Sequence, residues 1–196
     1  MNIILLNKIL EVFQKSIIPL TLEGVSGGNK IFGAAILKKE DFSLIVAGTN
    51  NEIENPLWHG EVHTLKKFYE LPKEKRPNEK NCLFITSHEP CSLCLSAITF
   101  CGFDNFYYLF PYESTSEDFN IHHDLNILKE VFNIDKGQYL KENSYWKSTN
   151  INDLINEIPK DKQKNIMISL NNIKKTYREF SDKYQSNKKN NKIPLK

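Results

Sequence analysis

Two short segments of this 196-residue chain carry side chains that could do chemistry together, Pro56-Leu57-Trp58-His59-Gly60-Glu61 and Glu89-Pro90-Cys91-Ser92-Leu93-Cys94. Each opens a stretch with helical spacing. Cys91 and Cys94 stand three apart, so a helix presents both sulfurs on one face. In a first helical turn the positive end of the helix dipole favours thiolates over thiols, and at His59 the same field favours the neutral imidazole that a metal needs. Two thiolates and one neutral imidazole balance the charge of Zn2+ and leave a fourth tetrahedral position to water, the arrangement of a catalytic rather than a structural site. Water held there drops toward a pKa of about 7 and supplies hydroxide near neutral pH. Glu61 follows His59 by two residues, a spacing that does not share a face on a regular helix. At the open end of a first turn both side chains can lean toward one point, where a carboxylate can carry protons.

The elements that must position these groups alternate along the chain. Residues 2–18 place Ile3, Leu6, Ile9, Leu10, Phe13 and Ile17 at helical spacing, and a turn-rich stretch follows, ending in Ser26-Gly27-Gly28-Asn29. Residues 31–37 and 42–47 read as a strand hairpin, and 50–56 as a polar loop. Residues 58–71 read as a helix closed by Pro72, and 73–81 as an exposed connection. The apolar run 82–86 is a buried strand, 91–100 a buried helix and 105–110 an aromatic-rich strand. Helical spacing returns at 118–133, a weak strand follows at 138–140, and two helices are expected at 151–158 and 162–184. The sum is an α/β fold, a three-layer α-β-α sandwich with a mixed sheet of about five strands. The hairpin should be antiparallel and the later strands parallel. Residues 1–150 are expected to form the catalytic domain and 151–186 a C-terminal helical extension. Residues 187–196 are expected to be a basic, disordered tail.

Composition narrows the class. At 40% hydrophobic and 11% aromatic residues the chain is not disordered as a whole. Apolar runs such as 3–6 and 34–37 fall far short of the ~20 residues that a membrane span needs, and Lys8 and Glu11 interrupt any secretory signal. A reduced, cytoplasmic chain is therefore expected, with four Cys serving as ligands or buried thiols. The net charge of +2 is unevenly spread: residues 1–159 carry a net of −6, and residues 160–196 a net of +8. With Arg76 and Arg178 the only arginines, bidentate phosphate or base clamps are scarce. The basic end is either a footprint for nucleic acid or a solvated face.

His-x-Glu paired with Pro-Cys-x-x-Cys is the pattern of zinc nucleobase deaminases, and over about residues 30–135 the chain resembles the cytidine deaminase-like superfamily. His59-Gly60-Glu61 with Thr64-Leu65 is similar to the fungal cytosine deaminase form. The run from Thr86 through Cys91 and Cys94 to Ile98 is similar to bacterial guanine deaminases and tRNA adenosine deaminases. The resemblance implies that His59, Cys91 and Cys94 bind zinc and that Glu61 is the proton shuttle of a hydrolytic deaminase. Relatives of this branch carry a substrate-binding Asn eleven residues before the zinc His, where this chain has Gly48. A loop shortened by two residues would bring Asn50 into that place. Trp58 stands where smaller residues are usual, which would narrow the pocket.

The resemblance also places the segment Phe110-Pro111-Tyr112 along the pocket, where a flat base could stack on Phe110 and Tyr112; the alternative is an aromatic plug between sheet and helix. With Gly60 of the His-x-Glu motif, these complete the expected substrate contacts. Scarce arginine and the acidic stretch 113–118 favour a small nucleobase or nucleoside, of cytosine or guanine type, over a polyanion. The alternatives are adenosine in tRNA, held by the basic end, and a zinc-stabilised binding module without turnover. A purely structural zinc would need Cys82 or Cys101 as fourth ligand, although both read as ordinary buried thiols. His63 and His88 could orient ligands or simply pack, and His122-His123 reads as a helix start in solvent. A homodimer is implied by the resemblance alone.

Overall fold

The computed structural model describes residues 2–196. Five strands, β1 (Gly33–Lys38), β2 (Leu44–Thr49), β3 (Cys82–His88), β4 (Asn105–Phe110) and β5 (Lys147–Asn150), form one sheet in the order β2-β1-β3-β4-β5. β1 runs antiparallel to β2 and β3, while β3–β4 and β4–β5 are parallel. The sheet is mixed, as expected. Its helices are α1 (Asn2–Val12), α2 (Ile18–Ser26), α3 (Gly60–Glu70), α4 (Ser92–Phe100), α5 (Tyr112–Glu117), α6 (His123–Phe132), α7 (Ile151–Asn156) and α8 (Lys160–Asn187).

Strand periodicity sorts the core into two layers. Ala34 and Ile36 of β1 and Cys82 and Phe84 of β3 pack with Leu65 and Phe68 of α3 and Ile98 of α4. The alternating residues Ala35, Leu37, Leu83 and Ile85 join Leu6 and Ile9 of α1, Ile151 and Ile155 of α7, and Leu170, Ile173 and Tyr177 of α8. Helices thus cover both faces. All seven residues of β3 are buried, which is why its sequence reads as a continuous apolar run rather than an alternation. Among the described residues no helix is long and apolar enough to cross a membrane.

Several expectations are corrected. The N-terminal helix does not stop at 18: a wide π turn at Phe13–Ile17 leads directly into α2. Pro19 lies at the start of α2 and cannot donate to the α ladder; the looser turn before it absorbs that loss. The helix expected at 118–133 begins only at His123, because Asn120 adopts a left-handed conformation with φ 54°. No strand forms at 138–140; the fifth strand is Lys147–Asn150, whose polar KSTN sequence gives no hydrophobic period and which is recruited by pairing with β4. Residues 151–196 pack against the rest of the chain. α8 buries Ile166, Leu170, Ile173, Tyr177, Phe180 and Tyr184, and in the tail Ile193 is 2% exposed. The Lys- and Asn-rich composition reflects the outer face of this segment, and its apolar residues supply the contacts.

His88, at the end of β3, sits in a box of Phe32, Phe110, Phe119 and Tyr177, with ring centroids 4.7 to 5.5 Å away. Nδ1 lies 2.9 Å from Ser87 Oγ and Nε2 is buried without a hydrogen-bond partner. It packs rather than ligates, and burial lowers its pKa from 6.5 to about 3. The unfolded chain therefore takes up a proton below pH 6.5 that the folded chain refuses, and stability falls as pH drops toward 3. Between pH 7 and 5 this one group should remove about 2 kcal/mol of stability. Chemical denaturation at both pH values should show the loss in the native chain and a visibly smaller one in His88→Leu.

Candidate active site

Strand register gathers the site at one end of the sheet. Gly33 pairs with Thr49, Ala34 with Thr86 and His88 with Phe110. The carboxyl ends of β2, β3 and β4 therefore meet the amino end of β1. From the first two of these ends the loops 50–59 and 89–91 lead into α3 and α4. His59 and Cys91 are the N-cap residues of these helices, both extended (φ −60°, ψ 158° and φ −64°, ψ 172°). Their carbonyls accept the first helical hydrogen bonds, from His63 N–H and Leu95 N–H at 2.8 Å. An extended cap frees its side chain from helical spacing. This is how His59 and Glu61, two apart, reach the same place.

Gly60 makes the approach possible. A Cβ there would fall 2.7 Å from Phe32 O and 3.0 Å from Gly33 Cα, so only glycine lets α3 press onto β1 this closely.

His59 Nδ1 lies 3.4 Å from Cys91 Sγ and 3.7 Å from Cys94 Sγ, and the two sulfurs are 3.6 Å apart. Tetrahedral zinc with Zn–S about 2.3 Å and Zn–N about 2.05 Å separates sulfurs by about 3.8 Å and sulfur from nitrogen by about 3.6 Å. The observed triangle agrees with both to within about 0.2 Å. The donor set is soft sulfur with imidazole, which suits zinc. These are the residues that the sequence singled out, and among those described they form the one such cluster of ligand atoms. A hydrogen bond from Cys94, with His59 beside it, holds the Cys91 thiol well below its usual range. Burial and Cys91 push Cys94 well above it. Burial works against charge on His59, but Cys91 more than reverses this and carries it up to about 9.

Glu61 is 4% exposed, with Oε2 3.2 Å from Cys94 Sγ. Burial, reinforced by Cys91, pushes its carboxyl up to about 7. A cavity of about 260 Å³ opens beside the triad, walled by His59, Cys91, Lys30, Glu52 and Asp124 together with apolar Leu57, Ile127, Ile193 and Leu195. This is below the ~300–1,000 Å³ of drug-sized ligand sites and suits something the size of a single base. A larger depression of about 510 Å³ over Lys38, Lys39, Glu40, Pro77 and Asn81 contains none of the candidate groups.

The structure places none of Asn50, Trp58, Gly60, Phe110 and Tyr112 in the cavity wall. Asn50 is 1% exposed and acts as a strut: its Oδ1 accepts from Gly60 N–H, and its Nδ2 donates to Glu52 at 2.6 Å. Trp58 stacks on His63 at 5.6 Å, with Lys66 5.1 Å above its ring. His63 Nδ1 in turn lies 2.8 Å from Thr49 O. Phe110 belongs to the aromatic box around His88, so the plug alternative describes its packing. Tyr112 braces the metal loop instead of a base, its OH donating to Pro90 O and its N–H to Glu89 at 3.1 Å. Cys82 is buried in the α3–α4 layer, and neither it nor Cys101 joins the triad. His122 hydrogen-bonds Ser116 and Asn120, while His123 lines the cavity and lies 2.9 Å from Lys196 O.

Three charged groups of the wall had no signal in local spacing. Glu52 (2% exposed side chain) and Lys30 (6%) form a buried ion pair at 2.9 Å, although each sits in a polar, turn-rich stretch where charge normally means solvent. Asp124 occupies the first turn of α6, and burial, aided by Cys91, raises its carboxyl well above the usual range. An acid in a first helical turn is common for reasons of the helix dipole alone, so only the cavity distinguishes it.

Ligand assignment is tested by metal content. Cys91→Ser and Cys94→Ser should purify with little zinc, and Glu61→Gln, Cys82→Ser and Cys101→Ser with a full complement, as measured by elemental analysis. Full zinc in Cys94→Ser would remove that sulfur from the site, and loss in Cys82→Ser or Cys101→Ser would point to a closed structural centre.

A family model for the cytidine and deoxycytidylate deaminase zinc-binding region matches residues 10–110. Guanine deaminase of Bacillus subtilis (strain 168) is 36% identical over 91 residues, 45% of this chain and 56% of that protein. The chain thus spans little more than half the length of this curated relative. The X-ray structure of guanine deaminase from Bacillus subtilis has a TM-score of 0.51 at 28% identity, covering 68% of this chain and 80% of that one. A guanine deaminase structure from Nitrosomonas europaea has a TM-score of 0.52 at 17% identity, covering 85% and 81%, a likeness of fold. The family match contains His59, Glu61, Cys91 and Cys94 with every element that brings them together, β1 to β3, α3 and α4. On that ground the chain belongs to the cytidine and deoxycytidylate deaminase zinc-binding family.

Proposed function

We propose that this chain is a zinc-dependent hydrolase that removes an amino group from a free nucleobase, and that the base is guanine. The observation that carries the reading is the buried carboxyl of Glu61 placed 3.2 Å from a sulfur of the ligand triad, whose His59 and Cys91 line a cavity of base size. Zinc held by His59, Cys91 and Cys94 would supply a water that ionises near neutral pH.

Glu61 does the proton work. Its Oε2 takes a proton from the attacking water, gives it to a ring nitrogen next to the amino-bearing carbon, and helps deliver one to the departing amine. The water oxygen forms the new bond to carbon, the C–N bond breaks, and ammonia leaves as the carbon becomes a carbonyl. Burial keeps solvent from competing for these protons.

Asp124 supports the choice of base. Guanine presents N–H donors along its ring edge, and a carboxyl group in the wall accepts them. An acceptor in the wall left unpaired by a base lacking those donors discriminates against it. The guanine deaminases that the chain resembles support the same base. Ile193, Pro194 and Leu195 line the cavity, which suits a free base better than a folded polynucleotide, so tRNA adenosine is the less favoured substrate.

Ammonia release from guanine, guanosine, cytosine, cytidine, adenine and tRNA tests the reading. Guanine should be the preferred substrate, with rates nearly flat in salt, whereas a tRNA activity should fall steeply as salt rises. Glu61→Gln should lower turnover by about 10²- to 10⁴-fold with zinc retained. Asp124→Ala should lower kcat/KM for guanine by on the order of 100-fold. A zinc-loaded wild type that releases no ammonia across the panel would identify a binding module instead.

A further inference from the structure

We infer that Glu52 is a positioning residue for the metal centre: it holds the outer nitrogen of His59 so that the inner one faces the sulfurs. The inference deepens the proposed function and rests on its zinc site, though not on turnover. His59 directs Nδ1 at Cys91 and Cys94, 3.4 and 3.7 Å away. For Nδ1 to donate its lone pair, the ring hydrogen must reside on Nε2, which then needs a partner. Glu52 Oε1 lies 3.6 Å from Nε2, just beyond hydrogen-bond length.

The carboxylate is itself fixed from two sides. Oε1 accepts from Lys30 Nζ at 2.9 Å and Oε2 from Asn50 Nδ2 at 2.6 Å, while Asn50 Oδ1 takes the N–H of Gly60 at the start of the His59 helix. One buried carboxylate thus ties the imidazole, the loop after β2 and the first turn of α3 into a single unit. Lys30 offsets its charge. The Lys30–Glu52 ion pair, with side chains 6% and 2% exposed, balances its own charge beside the ligand triad. A carboxylate recruited only to neutralise Lys30 would not need its shared oxygen to lie against His59.

Three variants separate positioning from mere structural support. In Glu52→Gln the amide oxygen stays with Asn50 Nδ2, which turns the amide NH2 toward Lys30 and His59 Nε2–H, donor against donor. Chelator competition should then show zinc affinity weakened by about 10-fold, and by up to about 100-fold in Glu52→Ala. Lys30→Met breaks the same ion pair but leaves Oε1 beside the imidazole. It should lower the melting temperature as Glu52→Gln does, yet hold zinc within a few-fold of wild type. The absorption bands of the cobalt(II)-substituted chain should shift in Glu52→Gln and not in Lys30→Met. Equal loss of zinc affinity in Lys30→Met and Glu52→Gln would overturn the inference, as would wild-type affinity in Glu52→Gln. Should Glu52→Ala fail to fold, the other two variants decide. Ammonia release by the wild type is scored separately, so a chain without deaminase activity leaves this result readable.

Discussion

The site depends on two helix N-termini being brought within a few ångströms of each other. α3 and α4 both start with an extended cap residue, and both caps, His59 and Cys91, belong to the His-Cys-Cys cluster that could hold a metal ion. Their convergence rests on the close approach of α3 to β1, where a Cβ at Gly60 would come 2.7 Å from a backbone oxygen. Cys94 and Glu61 then need only their places in the first turns to complete the cluster. Two positive helix ends aimed at one spot lower the cost of negative charge there, and the Cys91 thiol is held well below its usual range. The same geometry that forms the triangle therefore prepares its electrostatics.

Around the triangle, charge is arranged so that burial is tolerated. Lys30 sits against Glu52, and Asn50 takes the remaining carboxylate oxygen. Glu89, 3% exposed, receives Tyr139 OH at 2.7 Å, Tyr112 N–H at 3.1 Å and the Lys141 ammonium. Glu52 and Glu89 thus each have a cation and further donors, which offset the cost of burying an acid. Glu61 and Asp124 are different: burial, with Cys91, raises the carboxyl of each.

Most of the layered fold was legible because it rests on local periodicity. The hairpin, the apolar run of β3, the aromatic β4 and the helices after each metal segment all leave period-2 or period-3.6 signals, and each appears within a few residues of where the sequence places it. β5 left no such signal. Lys147–Asn150 is polar and pairs by its backbone with β4, and backbone pairing is blind to residue type. The continuation of the first helix through Pro19 was hidden for the opposite reason, since a strong local breaker was overridden by a π turn and by burial of Thr21 and Val25.

The sequence by itself determined the chemistry of the centre: two sulfurs, an imidazole and a carboxyl group, at spacings that place each at the opening of a helix. Those relations span one to three residues, and helix geometry alone enforces them. Only the tertiary structure decided what surrounds the centre. Lys30, Glu52, Asp124 and Ile193 come from four stretches that lie far apart along the chain, and their meeting depends on strand order, on the loop that carries Asn50 and on the return of the tail over the cavity. It also moved Phe110 and Tyr112 from the expected base platform into the core and the loop brace. Spacing encodes neighbours within an element; which distant side chains share a cavity depends on how whole elements pack, and no local pattern records that.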